Sequence, residues 1–110
     1  MPKYLSHGSY TVEGVRGVIK EGGSARKAHF HEIVADLGGK VEAFYFALGG
    51  SDVYSIVDLP DNVSSATVSL ALNAGGGFHA STVVLITPEE MDQAVQKTAS
   101  ARYRPPGESR

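Results

Sequence analysis

Between Val41 and Pro60 the chain reads VEAFYFALGGSDVYSIVDLP, two runs of aromatic and β-branched residues around a glycine turn. Such residues suit a pleated, half-buried surface. The pattern predicts strands over Val41–Leu48 and Asp52–Leu59, joined by Gly49-Gly50-Ser51. Side chains alternate faces along a strand. Val41, Ala43, Tyr45 and Ala47 would share one face, and Glu42, Phe44, Phe46 and Leu48 the other. On the second strand Val53, Ser55, Val57 and Leu59 oppose Asp52, Tyr54, Ile56 and Asp58. No face is wholly polar, so the sheet wants cover on both sides. One layer of helices covers one side, and the other calls for a partner subunit.

The remaining elements arrange themselves around that hairpin. Lys3–Tyr10 alternates as a strand, with Leu5, His7 and Ser9 on one face. Thr11 can cap a helix over Val12–Glu21 that carries Val15, Val18 and Ile19 at helical spacing. Gly22-Gly23 interrupts, as a kink or a true loop, before Ala25–Leu37 with its stripe of Phe30, Ile33, Val34 and Leu37. After Pro60-Asp61-Asn62, a helix over Val63–Ala74 places Val63, Ala66, Leu70 and Ala74 on one face, with Val68 and Leu72 off it. Gly75-Gly76-Gly77 stops it, and Phe78–Ile86 is a further strand. Thr87-Pro88-Glu89-Glu90 combines a cap, a first-turn proline and capping-box spacing, and opens a last helix to about Ala99. The order β-α-β-β-α-β is the split βαβ arrangement: an α+β fold with an antiparallel sheet and both crossover helices on one face. Its central strands are the first and third. One domain over residues 1–99 is expected, with 100–110 (SARYRPPGESR) as an extended tail. In that tail Arg102, Tyr103 and Arg104 form either an arm that docks on a neighbour or a frayed end.

Composition narrows the classes. A chain of 110 residues fits one domain and can bury roughly two-thirds of its unfolded surface. A formal net charge of −2 argues against nucleic acid or an anionic membrane as partner. With no cysteine, disulfides, thiol catalysis and cysteine-ligated metals are excluded. No apolar run approaches the ~20 residues that span a bilayer, and Met1-Pro2-Lys3-Tyr4 leads straight into a strand with no signal-like hydrophobic stretch. A cytoplasmic location is the expectation.

The segment LGGKVEAFYFALGGSDVYSIVDLP (Leu37–Pro60), followed at its spacing by Thr87-Pro88-Glu89-Glu90-Met91, resembles the GYD-domain proteins. The likeness covers most of residues 3 to 95. The family block is a "GG-K-aromatic" strand, a Gly-Tyr-Asp turn and an apolar strand; here the turn is Gly50-Ser51-Asp52, with serine in place of the tyrosine. The resemblance implies a ferredoxin-like domain related to the dimeric α/β-barrel proteins, and self-association. It supplies no activity, substrate or cofactor.

Several side chains are candidates for a site on the uncovered sheet face: His7, Glu42, Phe44, Asp52, Tyr54 and His79. His7 and His79 fall on strands expected to be neighbours. Two imidazoles with a carboxylate can bind a metal or move protons, although histidines on a sheet are commonly hydrogen-bonded interface residues. Asp52 is either an acceptor at a pocket mouth or a carboxylate that holds backbone N–H groups. His29 and His31 lie two apart on a helix and point to different faces, so they do not chelate one metal. No residue set here marks a metal centre, and the glycine runs lack the GxGxxG or P-loop context that would give them phosphate chemistry. The tyrosines and phenylalanines of the hairpin line either a small apolar ligand's pocket or a subunit interface. These features point to a homo-oligomeric small-molecule-binding or assembly module using the open sheet face. The alternative suggested by the resemblance is a cofactor-free or heme-handling enzyme, an oxygenase or isomerase, with a histidine on that face.

Overall fold

The computed structural model describes residues 1–108. Its sheet has four antiparallel strands: β1 (Lys3–Tyr10), β2 (Lys40–Phe46), β3 (Val53–Asp58) and β4 (Phe78–Leu85). Their spatial order is β2-β3-β1-β4, so β1 and β3 are central, as the ferredoxin-like reading requires. α1 (Val12–Glu21) and α2 (Gly23–Asp36) connect β1 to β2, and α3 (Asn62–Ala74) connects β3 to β4. The interruption after α1 is a true joint: Gly22 sits at φ +90°, where a side chain would be strained. Thr11 accepts the Gly14 N–H and starts α1, and Asp61 accepts the Ser64 N–H and starts α3.

The core lies between the sheet and α2 and α3. It gathers Tyr4, Phe30, Val34, Val57, Leu59 and Val68, with Ile33, Leu37, Val41, Phe44 and Leu72 packed around it. Tyr4 is fully buried, and its Oη donates to Asn62 Oδ1 at 2.7 Å. That bond fixes the rotation of α3. Residues three, six and ten positions after Asn62 share its side of a helix, so Ser65, Val68 and Leu72 turn inward. The stripe expected inward, Val63, Ala66 and Leu70, instead leaves Val63 and Leu70 exposed. The tie to Tyr4 and the burial of Val68 and Leu72 agree on this phase, against an apolar spacing of equal regularity. α1 also departs from its pattern: none of its residues is buried, and Ile19 faces solvent.

The hairpin contains an irregularity that alternation does not anticipate. Val41 pairs with Val57, but Ala43 pairs with Ile56, leaving Glu42 as an extra residue in a bulge. Beyond it the faces exchange. Phe44 and Phe46 oppose Ser55 and Val53 on the helix side, while Ala43 and Tyr45 oppose Ile56 and Tyr54 on the open side. Phe44, expected on the open face, therefore packs on Phe30 with ring centroids 5.5 Å apart.

α4 (Pro88–Lys97) has the expected capping box between Thr87 and Glu90. It buries no residue, and its main contacts are with the 3₁₀ turn at Thr98–Ser100. The molecule measures 62 × 31 × 22 Å, with a radius of gyration of 18.0 Å. A compact chain of this length has about 13 Å. α4 and the chain after it thus extend from the body as an arm. Of the expected tail, residues 109 and 110 lie outside the described residues. Among the described residues no helix is long and apolar enough to cross a membrane.

Two outcomes test this packing. Leu59, 1% exposed, leaves a cavity when truncated, so Leu59→Ala is expected to cost about 3 kcal/mol in urea unfolding. The second concerns pH. Burial pushes the Tyr4 and Tyr10 phenols above their ordinary range, at Tyr10 against the pull of Arg26. Hydrogen bonds to Asp58 and Glu42 hold the Lys3 ammonium above its own. The folded state keeps these protons more tightly than the unfolded chain. Their contribution is complete below about pH 10 and is lost as pH rises through the folded values. Thermal melts across alkaline pH should show falling stability, and Tyr4→Phe should flatten part of that slope.

Candidate functional site

β1, β3 and β4 run without bulges, so their odd and even residues keep their faces. The register pairs His7 with Tyr54 on one side and Ser81 on the other, and Ser9 with His79. His7, Tyr54 and His79 thus share the face that no helix covers, with His79 diagonal to His7 across the β1–β4 pair. Around them stand Leu5, Ile56 and Val83, in register at the next level. Tyr45, 71% exposed, opposes Tyr54 from β2.

His7 is the best-held of these groups. Its ring stacks on Tyr54 with centroids 5.6 Å apart and planes within 14°. Its Nδ1 shares a 2.9 Å hydrogen bond with Ser51 Oγ. Ser51, part of the loop between β2 and β3, is itself buried. Ser51 therefore fixes the imidazole against the sheet. Ser9 Oγ donates to the Gly50 carbonyl at 3.3 Å and draws the same loop onto β1.

The other candidates lie apart from this cluster. Asp52 Oδ2 accepts the Tyr10 N–H at 3.0 Å, and the Asp52 N–H donates to the Gly8 carbonyl at 2.8 Å. Its carboxylate ties the end of β1 to the hairpin. Glu42, displaced by the bulge, accepts from Lys3 Nζ at 3.2 Å, while Asp58, 5% exposed, accepts from the same nitrogen at 2.9 Å. That ion cluster sits at the far end of β1 from His7. Phe44 is on the opposite face. His29 faces Glu32 at 3.7 Å along α2 and stands on the helix side of the sheet, away from His7. Among the described residues no group of three or more histidines and carboxylates is placed to hold a metal ion.

A concavity on the helix side was not legible in the chain. It is a cleft of about 290 Å³ between α1, α2, α3 and the start of β4. Tyr10, Arg26, Leu72 and Phe78 line it and continue into a smaller recess of about 40 Å³ floored by Phe30, Phe44 and Ser55. Phe78 meets Tyr10 edge-on at 4.9 Å. Arg26 Nη1 donates to Glu21 Oε2 at 3.3 Å at the rim. These residues come from seven elements, and no spacing in the sequence links them. The one local signal was the Gly75–Gly77 run, read as a helix stop; Gly75 and Gly77 line its walls, as do Gly14 and Gly17 of α1.

The family model described as GYD domain matches residues 4–95. No curated protein and no solved structure matches the chain.

The Asp52 tie can be tested directly. Asp52→Ala removes a charge-assisted acceptor from the Tyr10 N–H and is expected to cost about 2 kcal/mol. Amide exchange at Tyr10 should accelerate with it, and Asp52→Asn, which keeps an acceptor oxygen, should recover most of both.

Proposed function

The chain belongs to the GYD domain family, and from that premise we propose that it is a homo-oligomeric assembly module whose bare sheet face is the subunit interface. The observation that carries this reading is the asymmetry of the sheet. One face is closed by α2 and α3, and the other presents Leu5, Tyr45, Tyr54, Ile56 and Val83 with no layer over them. Apolar area of this kind gains about 25 cal/mol per Å² when a partner removes it from water. Aromatic side chains with polar tips, such as Tyr45 and Tyr54, are suited to interfaces.

The arm supports the same reading. A helix of ten residues is marginal alone in water. α4 carries exposed Met91 and Val95 on one side, four positions apart. A neighbouring copy would give that stripe the surface its own body does not. In this arrangement His7 and His79 are interface residues, with His7 held by Ser51 and Tyr54. The histidine-based enzyme lacks a supporting observation, since among the described residues His7 is oriented by the Ser51 hydroxyl and by no carboxylate.

Native mass spectrometry with light scattering tests the proposal. The wild-type protein should be an oligomer at micromolar concentration. Ile56→Glu, which would bury an unpaired charge, should weaken association by about a hundredfold or more while circular dichroism stays native. A wild-type monomer, or an Ile56→Glu variant as oligomeric as the parent, rejects the sheet face as interface.

A further inference from the structure

The helix-side cleft is separate from that face, and its chemistry is specific enough to name a ligand class. Its floor is apolar and aromatic, from Phe30, Phe44, Leu72 and Phe78. An apolar cavity of about 150 Å³ suffices for benzene, so about 290 Å³ with its recess has room for a substituted ring system. The volume is at the small end of ligand pockets. One cationic group stands where floor and rim meet: Arg26 lines both the cleft and the recess. Its partner Glu21 is half exposed, engages only Nη1, and does so at 3.3 Å. An exposed pair of this geometry contributes little, and a guanidinium has further donors in a planar fork that matches a carboxylate. The Tyr10 phenol, raised by burial and held beside Arg26, supplies a neutral donor at the same place. Apolar floor, single fork of donors and neutral hydroxyl are the elements of a site for a flat acid.

We propose that this cleft binds a small planar apolar molecule bearing one carboxylate. Arg26 takes the carboxylate, displacing Glu21; Tyr10 donates to it; and the rings lie against Phe78 and Leu72. Gly17 keeps the entrance clear. A Cβ added there meets nothing within 4 Å, and the position lines the cleft, so a large side chain at 17 enters the ligand's space without disturbing the helix.

The probe is 2-naphthoate, titrated into the full chain by calorimetry and by NMR shift mapping. Saturable binding is expected, with shifts at Tyr10, Arg26, Leu72 and Phe78. Arg26→Gln should weaken it by roughly tenfold or more, as should replacing the probe by the neutral 2-naphthalenemethanol. Glu21→Gln, which frees the guanidinium, should tighten it. Gly17→Phe should abolish binding with an unchanged circular dichroism spectrum, and Gly17→Leu serves the same purpose if the larger ring disturbs the fold. Absence of saturable binding overturns the proposal. So does binding that survives both Arg26→Gln and a folded Gly17 variant, which would place the probe elsewhere. Equal affinity for acid and alcohol overturns the carboxylate site. None of these readouts depends on the number of subunits.

Discussion

The structure depends most on how β1 tapers. Its helix-side residues are Tyr4, Ser6, Gly8 and Tyr10, which fall from a full ring to no side chain over the first three before Tyr10 ends the strand. Beside them β3 presents Val57, Ser55 and Val53. At the Tyr4 end the sheet and helices close into a fully packed core with Val34, Val57 and Leu59. At the Gly8 end there is no side chain to fill the space. A Cβ on Gly8 would stand 1.9 Å from the His79 carbonyl oxygen and 2.8 Å from the Phe78 ring. The absent side chain is what lets Phe78 lie over the strand. The two serines between these extremes do not leave orphan hydroxyls, since Ser55 Oγ donates to the Ser6 carbonyl at 3.2 Å, and no buried side-chain polar atom among the described residues lacks a partner. Core and cleft therefore lie on either side of the narrowing at Ser6 and Gly8, with Tyr4 in the core and Tyr10 on the cleft wall.

The narrowing exists on one face only. On the other, the odd residues of β1 run Lys3, Leu5, His7, Ser9, from an ion cluster through an apolar level to a hydrogen-bonded one. Asp58 and Glu42 neutralise Lys3 at one end, and the loop from Ser51 caps His7 at the other. Between them lie Leu5, Ile56 and Val83, over which no helix among the described residues packs. Polar ends with an apolar middle is the anatomy of an association surface with its rim. α4, capped well enough to begin a helix yet with nowhere on its own body to pack, belongs to the same economy of surface.

The order of elements was readable because it rests on strong local signals: period-two runs, glycine stops, and the Thr87–Glu90 box. So were the faces of His7, Tyr54 and His79, because their strands alternate without interruption. Phe44 was misplaced for a corresponding reason. One extra residue at Glu42 inverts everything after it, and a bulge in the middle of an apolar run leaves no mark in composition. The phase of α3 was hidden differently. It is set by Tyr4 reaching Asn62 across fifty-eight positions, a tertiary tie that competes with an apolar spacing of equal regularity. The cleft was hidden most completely. Tyr10, Arg26, Leu72 and Phe78 mean nothing as a set until the fold brings them together.

The hairpin loop joins the two faces. Ser51 and Asp52 are consecutive, yet they act on opposite sides of β1. Ser51 reaches His7 on the open side. Asp52 holds the backbone of Gly8 and Tyr10, and so sets where the Tyr10 ring enters the helix-side cleft. The central strand is thereby clamped at its end by two adjacent residues, one orienting an imidazole and the other a phenol. A displacement of this loop acts on both faces, because Ser51 holds His7 and Asp52 takes the Tyr10 N–H, while β4 anchors Tyr10 from the other side through its pairing with Phe78 and the Thr11 N–H bond to Gly77. Ligand in the cleft and partner on the sheet would meet through this turn, with Asp52 and Ser51 as the shared support.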